Sequence, residues 1–150
     1  MQIAKCPEQF VTYALGSCIG ICLYDSGKKI GGLGHIMLPT KPAHRADEVP
    51  FRYADTCIPL MVEKMEKMGA ARRSITAKIA GGAKMFEVAD DNSFGNIGER
   101  NSIAVKDTLF KLKIPVIAED IGLNYGRTVF FYTETGIMVV KSFAKGTKSF

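Results

Sequence analysis

Two apolar runs, residues 19–24 (IGICLY) and 30–38 (IGGLGHIML), flank Asp25-Ser26-Gly27-Lys28-Lys29, and this arrangement constrains the fold more than any other stretch. Apolar and β-branched runs joined by turn-forming residues predict a β-hairpin. The second run carries Gly31, Gly32 and Gly34, which weaken a strand and mark a bulge or a close approach of another group. With the turn centred on Gly27, Tyr24 faces Ile30, and counting back sets Cys18 opposite Ile36, or opposite His35 if one residue bulges. Directly opposed residues have Cβ atoms about 4.5–5.5 Å apart, so the hairpin would bring a thiol and an imidazole close to hydrogen-bonding reach.

Around this hairpin the sequence predicts a single domain, 1–150, without repeats, low-complexity segments or a dividing linker. Residues 51–70 (FRYADTCIPLMVEKMEKMGA) place Ala54, Cys57 or Ile58, Met61, Met65 and Met68 on one helical stripe that ends at Gly69, with Pro59 kinking the helix or delaying its start. The methionines read as core filler. A strand follows at 75–80, then a glycine pair, a polar loop (DDNSFGN) and a helix near 98–112. PVIAED and RTVFFYTE read as strands, and Thr133-Glu134-Thr135-Gly136 turns the chain into GIMVVKSF as a second hairpin. Strands outnumber helices, and the βαβ alternation of a doubly wound fold is missing, so the expected class is α+β with a mixed, largely antiparallel sheet.

Charge and cysteine usage narrow the environment. Twenty basic against 15 acidic residues give a formal +5, which suits acidic partners in general. No nucleic-acid-binding module or aromatic signature accompanies that charge, and the basic end KSFAKGTKSF reads as a solvated tail, so no nucleic-acid partner is expected. Cys6, Cys18, Cys22 and Cys57 lack the dense spacing of a disulfide framework, and MQIAKCPEQF lacks the apolar centre of a signal peptide. Reduced thiols, a cytoplasmic location and no membrane insertion are the expectation.

Cys18 follows a Gly-Ser step, with Thr12 upstream in VTYAL and His35 downstream. A free thiol is mostly protonated at neutral pH, and an adjacent imidazole can accept its proton and leave a nucleophilic thiolate. A hydroxyl such as that of Thr12, folding back across the Gly-containing turn, can fix which imidazole nitrogen carries a proton. The turn Leu15-Gly16-Ser17-Cys18 can also aim backbone N–H groups at an oxyanion. The same residues equally describe a buried cysteine acting as a small hydrophobe and a satisfied core histidine. Cys22 and Cys57 lie in apolar stretches and read as core, and His44 sits in a loop without an evident partner. Cys18, Cys22 and His35 offer three ligands without the paired knuckles of a zinc site, so no metal and no cofactor are expected. The glycines at 81 and 82 lack a GxxxxGK[ST] pattern and read as a tight turn beside the site.

Beyond spacing, TYALGSCIGICLYD, GGLGHIMLP, RYADTCIPLMVEKMEKMGA, KIAGGAKMF, IGERN and the GR…F…TG…VVK pattern occur in the order found in the chemoreceptor glutamine deamidases, and the chain resembles this CheD family over nearly its whole length. The resemblance implies a β-sandwich core with flanking helices, similar to the catalytic domain of the cytotoxic necrotizing factor deamidase toxins. It implies a Cys-His-Thr thiol hydrolase acting as a protein-glutamine glutaminase on methyl-accepting chemotaxis receptors, with Cys18 as nucleophile, His35 as general base and acid, and Thr12 orienting His35. It further implies the chemotaxis phosphatase CheC as a regulating partner. A receptor glutamyl methylesterase, or a non-catalytic adaptor binding CheC and receptors, are the alternatives. The loop Gly122-Leu123-Asn124-Tyr125-Gly126-Arg127 departs from the Gly-Gly pair that commonly precedes the GR step in that family.

Overall fold

The computed structural model describes residues 1–43, 49–85 and 96–150. In chain order the elements are β1 (Gln2–Lys5), β2 (Gln9–Leu15), β3 (Ile19–Asp25), β4 (Ile30–Ile36), α1 (Ala54–Lys67), β5 (Ile75–Gly81), α2 (Ile97–Lys111), β6 (Val116–Ile121), β7 (Arg127–Tyr132), β8 (Met138–Ser142) and β9 (Gly146–Ser149). Among the described residues they build a five-stranded sheet, β1-β4-β3-β5-β6, and a four-stranded sheet, β2-β7-β8-β9. The class is α+β, as the sequence predicts.

Side-chain alternation assigns each face of the larger sheet to its own core. Ile19, Ile21 and Leu23 of β3 join Cys57, Met61 and Met65 of α1 and Val105 and Leu109 of α2. Cys22 and Leu33, pointing the other way, join Phe10, Val129, Phe131 and Met138 of the smaller sheet. β3 is therefore covered on both sides, and a strand with no solvated face reads as a continuous apolar run. The glycines of β4 mark close approach: a Cβ at Gly34 would lie 2.6 Å from the Met61 sulfur, and one at Gly31 2.7 Å from the Phe131 ring.

The β3–β4 register differs by one residue from the sequence-based count, and the ladder between these strands runs without a bulge. Asp25 pairs with Ile30, Gly20 with His35, and Ile19 with Ile36. The connection has four residues because the Asp25 side chain organises it: Oδ1 accepts the N–H groups of Gly27 (3.0 Å) and Lys28 (3.1 Å), and Lys29 turns with φ +50°.

The expected mixed, largely antiparallel plan is what forms: β5 and β6 are parallel and joined through α2 as one βαβ crossover, and the other strand pairings among the described residues are antiparallel. Two further expectations change. The C-terminal stretch is not a loose tail: β9 pairs with β8, although all four of its side chains are exposed, because backbone pairing needs no apolar pattern to announce it. Met68 leaves the helical stripe as an exposed cap residue, and α1 runs through Pro59 from Ala54.

Candidate active site

Residues 16–18 connect the two sheets, leaving β2 of the smaller one and entering β3 of the larger. Simple alternation would send Thr12 and Leu15 to opposite faces. A bulge between them, with Ala14 at φ +56°, absorbs one residue, so Thr12 reaches inward, Leu15 is fully buried and Tyr13 is exposed. Thr12 thus reaches the site by packing of sheet on sheet, not by folding back on its own hairpin.

Across the interface, Thr12 Oγ1 lies 2.8 Å from His35 Nδ1. Gly20, opposite His35 on β3, makes room for this contact: a Cβ there would lie 2.9 Å from Leu15 Cδ1 and 3.5 Å from Thr12 Cγ2. His35 Nε2 is buried and has no hydrogen-bond partner among the described residues. Burial pushes the imidazole below its ordinary 6.5, so it is neutral at pH 7. A neutral ring with Nδ1 engaged keeps one nitrogen free for proton transfer.

Cys18 sits one residue before β3. It packs against the same core cluster as Cys22 and Leu33, on the face of the larger sheet from which His35, two residues along β4 from Leu33, also projects. The thiol is half-buried, and desolvation raises it above its ordinary 9.0 while its own backbone N–H pulls the other way. At rest the pair is therefore neutral thiol and neutral imidazole. Cys22, on the same face, is sealed in the core with its thiol pushed far up by burial, and Cys57 is likewise buried, as the apolar context of both predicts. His44 lies outside the described residues.

The turn is held from behind. Ala83 N donates to the Gly16 carbonyl (2.8 Å), Asn101 Nδ2 to the Ser17 carbonyl (2.9 Å), and Gly82 N to the Cys18 carbonyl (2.9 Å). Gly81, at φ +121°, has no room for a Cβ because the Cys18 carbonyl oxygen occupies that space. The glycine pair is not the tight turn expected from sequence: Gly81 ends β5, and Gly82 and Ala83 continue the pairing alongside residues 16–18, the missing Cβ of Gly81 letting the Cys18 carbonyl approach. Leu123, where the sequence departs from its resemblance, adopts φ +59° and accepts a hydrogen bond from Lys84 N (2.7 Å), so the divergent loop abuts the same segment. Sequence reasoning missed Gly20, whose signal was a glycine inside an apolar run, and Asn101, the one polar side chain of IGERN that is fully buried.

Comparison with known proteins adds a second kind of observation. The family described as CheD chemotactic sensory transduction matches residues 37–142. A protein of Clostridium botulinum (strain Hall), named "Probable chemoreceptor glutamine deamidase CheD", is 49% identical over 148 residues, spanning 99% of this chain and 91% of the relative. One of Clostridium novyi (strain NT) with the same name is 48% identical over 149 residues, spanning 99% and 92%. The family match begins beyond Thr12, Cys18 and His35, whereas these relatives align over nearly the whole chain.

Proposed function

Because this chain belongs to the CheD family, we propose that it deamidates glutamine side chains of chemotaxis receptors to glutamate, with Cys18 as nucleophile, His35 as base and acid, and Thr12 holding the imidazole. The observation that carries the reading is the Thr12–His35 bond across two sheets, which leaves Nε2 free on the face that also bears Cys18. With Nδ1–H donating to the threonine hydroxyl, the lone pair of Nε2 is the available base.

Nε2 takes the thiol proton as sulfur attacks the carboxamide carbon, giving a tetrahedral oxyanion held by backbone N–H groups. The imidazolium returns the proton to nitrogen, ammonia leaves, and a thioester remains. Water, deprotonated by the same Nε2, attacks the thioester and releases glutamate and the thiol. A neutral receptor side chain becomes an anion, which changes repulsion between receptor helices and provides a carboxylate for methylation.

The test uses receptor fragments and peptide mass spectrometry. Cys18→Ala and His35→Ala should fold and convert no glutamine to glutamate; full conversion by both would remove the proposal. Ammonia release without methanol release from one receptor preparation distinguishes deamidation from ester hydrolysis, and receptor or phosphatase signalling that persists in Cys18→Ala would favour an adaptor.

A further inference from the structure

Asn101 lies in the first half of α2 with no exposed surface. Its Nδ2 donates both protons to main-chain carbonyls, Ser17 at 2.9 Å and Met37 at 2.9 Å. The amide orientation follows from chemistry, because two carbonyl oxygens require a donor group facing them. Oδ1 is buried and finds no partner among the described residues. Leaving a buried acceptor unpaired costs about 1–3 kcal/mol, so this side chain is an expensive way merely to fill space.

The two carbonyls identify what is being held. Met37 directly follows β4, two residues past His35. Ser17 C=O is one end of the peptide group whose other end is the Cys18 N–H. That group is planar and trans, so fixing the carbonyl toward α2 fixes the N–H in the opposite direction, away from the helix. The Gly16 and Cys18 carbonyls are held by backbone N–H groups; among these three, the Ser17 carbonyl alone relies on a side chain. The Cys18 N–H belongs to the residue that carries the sulfur, so a carbonyl attacked by that sulfur would develop its negative oxygen within the neighbourhood of this donor.

We infer that Asn101 is a positioning residue that locks the Ser17–Cys18 peptide with its N–H directed at the oxyanion. The inference rests on the proposed deamidase reading of the site. A hydrogen bond at the carbonyl also polarises the peptide, strengthening its N–H as a donor.

Two reactions of one sulfur separate this role from a general structural one. Hydrolysis of the carboxamide passes through an oxyanion, whereas alkylation of Cys18 by iodoacetamide does not. In Asn101→Asp and Asn101→Ser, checked for folding by thermal melting, kcat for glutamine conversion should fall on the order of 10²-fold, the usual cost of losing an aligned oxyanion donor. KM and the alkylation rate should stay within about threefold of wild type. A folded variant that keeps its kcat, or one whose kcat and alkylation fall together, overturns the inference. A measurement on the wild-type chain covers the case in which neither variant folds. A receptor-like helical peptide carrying glutamate γ-semialdehyde should form a hemithioacetal with Cys18 and shift the Cys18 amide proton of nitrogen-labelled protein downfield, and an adduct without that shift also overturns it. A wild-type chain that forms no adduct and releases no ammonia fails at the deamidase reading itself, and the inference falls with it.

Discussion

The sulfur and the ring of the site are displaced in opposite directions by one cause, desolvation: the thiol above 9.0 and the imidazole below 6.5. Both shifts favour the uncharged pair, so in the proposed reaction the thiolate would be made during attack and not stored beforehand. With a thiol above 9.0, the thiolate fraction at pH 7 is below about 1%. In a Cys6→Ser background, Cys18 alkylation should therefore keep rising through pH 7–9, and a plateau already present near pH 6 would contradict the neutral pair. The imidazole stays unprotonated down to below 6.5, so the acid limb of kcat/KM should lie under that value. Thr12→Val keeps the shape and removes the hydroxyl. A fall in kcat on the order of 10²-fold is expected from the lost control of the ring, read by steady-state kinetics against the Thr12→Ser variant, which retains the hydroxyl.

Among the elements, β4 shows most clearly how composition is converted into position. Its glycines on one face admit Met61 and Cys57 of α1, and its Gly31 on the other admits Phe131, so the strand is clamped between two layers with little side-chain volume of its own. His35 projects from that clamped strand, which fixes where the ring starts. Gly34→Ala would put a methyl 2.6 Å from the Met61 sulfur and 3.2 Å from the Cys57 sulfur. Overpacking of this kind costs about 1–3 kcal/mol, to be read as a lower denaturant midpoint with unchanged slope. Combining Gly34→Ala with Met61→Ala should cost less than the two separate losses added together, because the truncated methionine vacates the contested space. Strict additivity would mean that the contact does not constrain the helix.

Across the whole molecule the sheets are tied by charge as well as by apolar packing. Lys78 of β5 donates to the carbonyls of Gly136 (2.7 Å) and Phe150 (2.7 Å), joining the larger sheet to the far end of the smaller. Arg127 of β7 is buried against Asp120 of β6, whose carboxylate also accepts from Tyr125 (2.9 Å) and Lys148 (3.2 Å). Burial alone would raise the Asp120 carboxyl, and these donors outweigh it and hold it below its ordinary 3.8. A depressed carboxylate contributes stability that is present above the ordinary value and lost as pH falls through the folded one. Asp120→Asn should cost about 3–5 kcal/mol at neutral pH because the Arg127 guanidinium is left buried and unpaired. The gap between variant and wild type should narrow below pH 3.8 in denaturant titrations. A constant gap down to acid would mean that the pair does not carry the effect.

What the linear sequence determined by itself was local: the hairpin and its turn residues, the α1 stripe, the second helix and the three later strands all follow from patterns within some 20 residues. It also offered Cys18, His35 and Thr12 as candidates and, through six ordered blocks, pointed to the family. The one-residue register of β3 against β4 depended on Asp25 capping a four-residue turn, and β9 formed without an apolar pattern; neither leaves a clear mark in composition. Only the tertiary structure decided that Thr12 meets His35 from the opposite sheet across the gap left by Gly20, and that Asn101, 83 residues beyond Cys18, holds the turn from behind. The physical reason is that hydrogen bonds between layers depend on distances set by packing, and packing joins residues whose separation along the chain carries no signal.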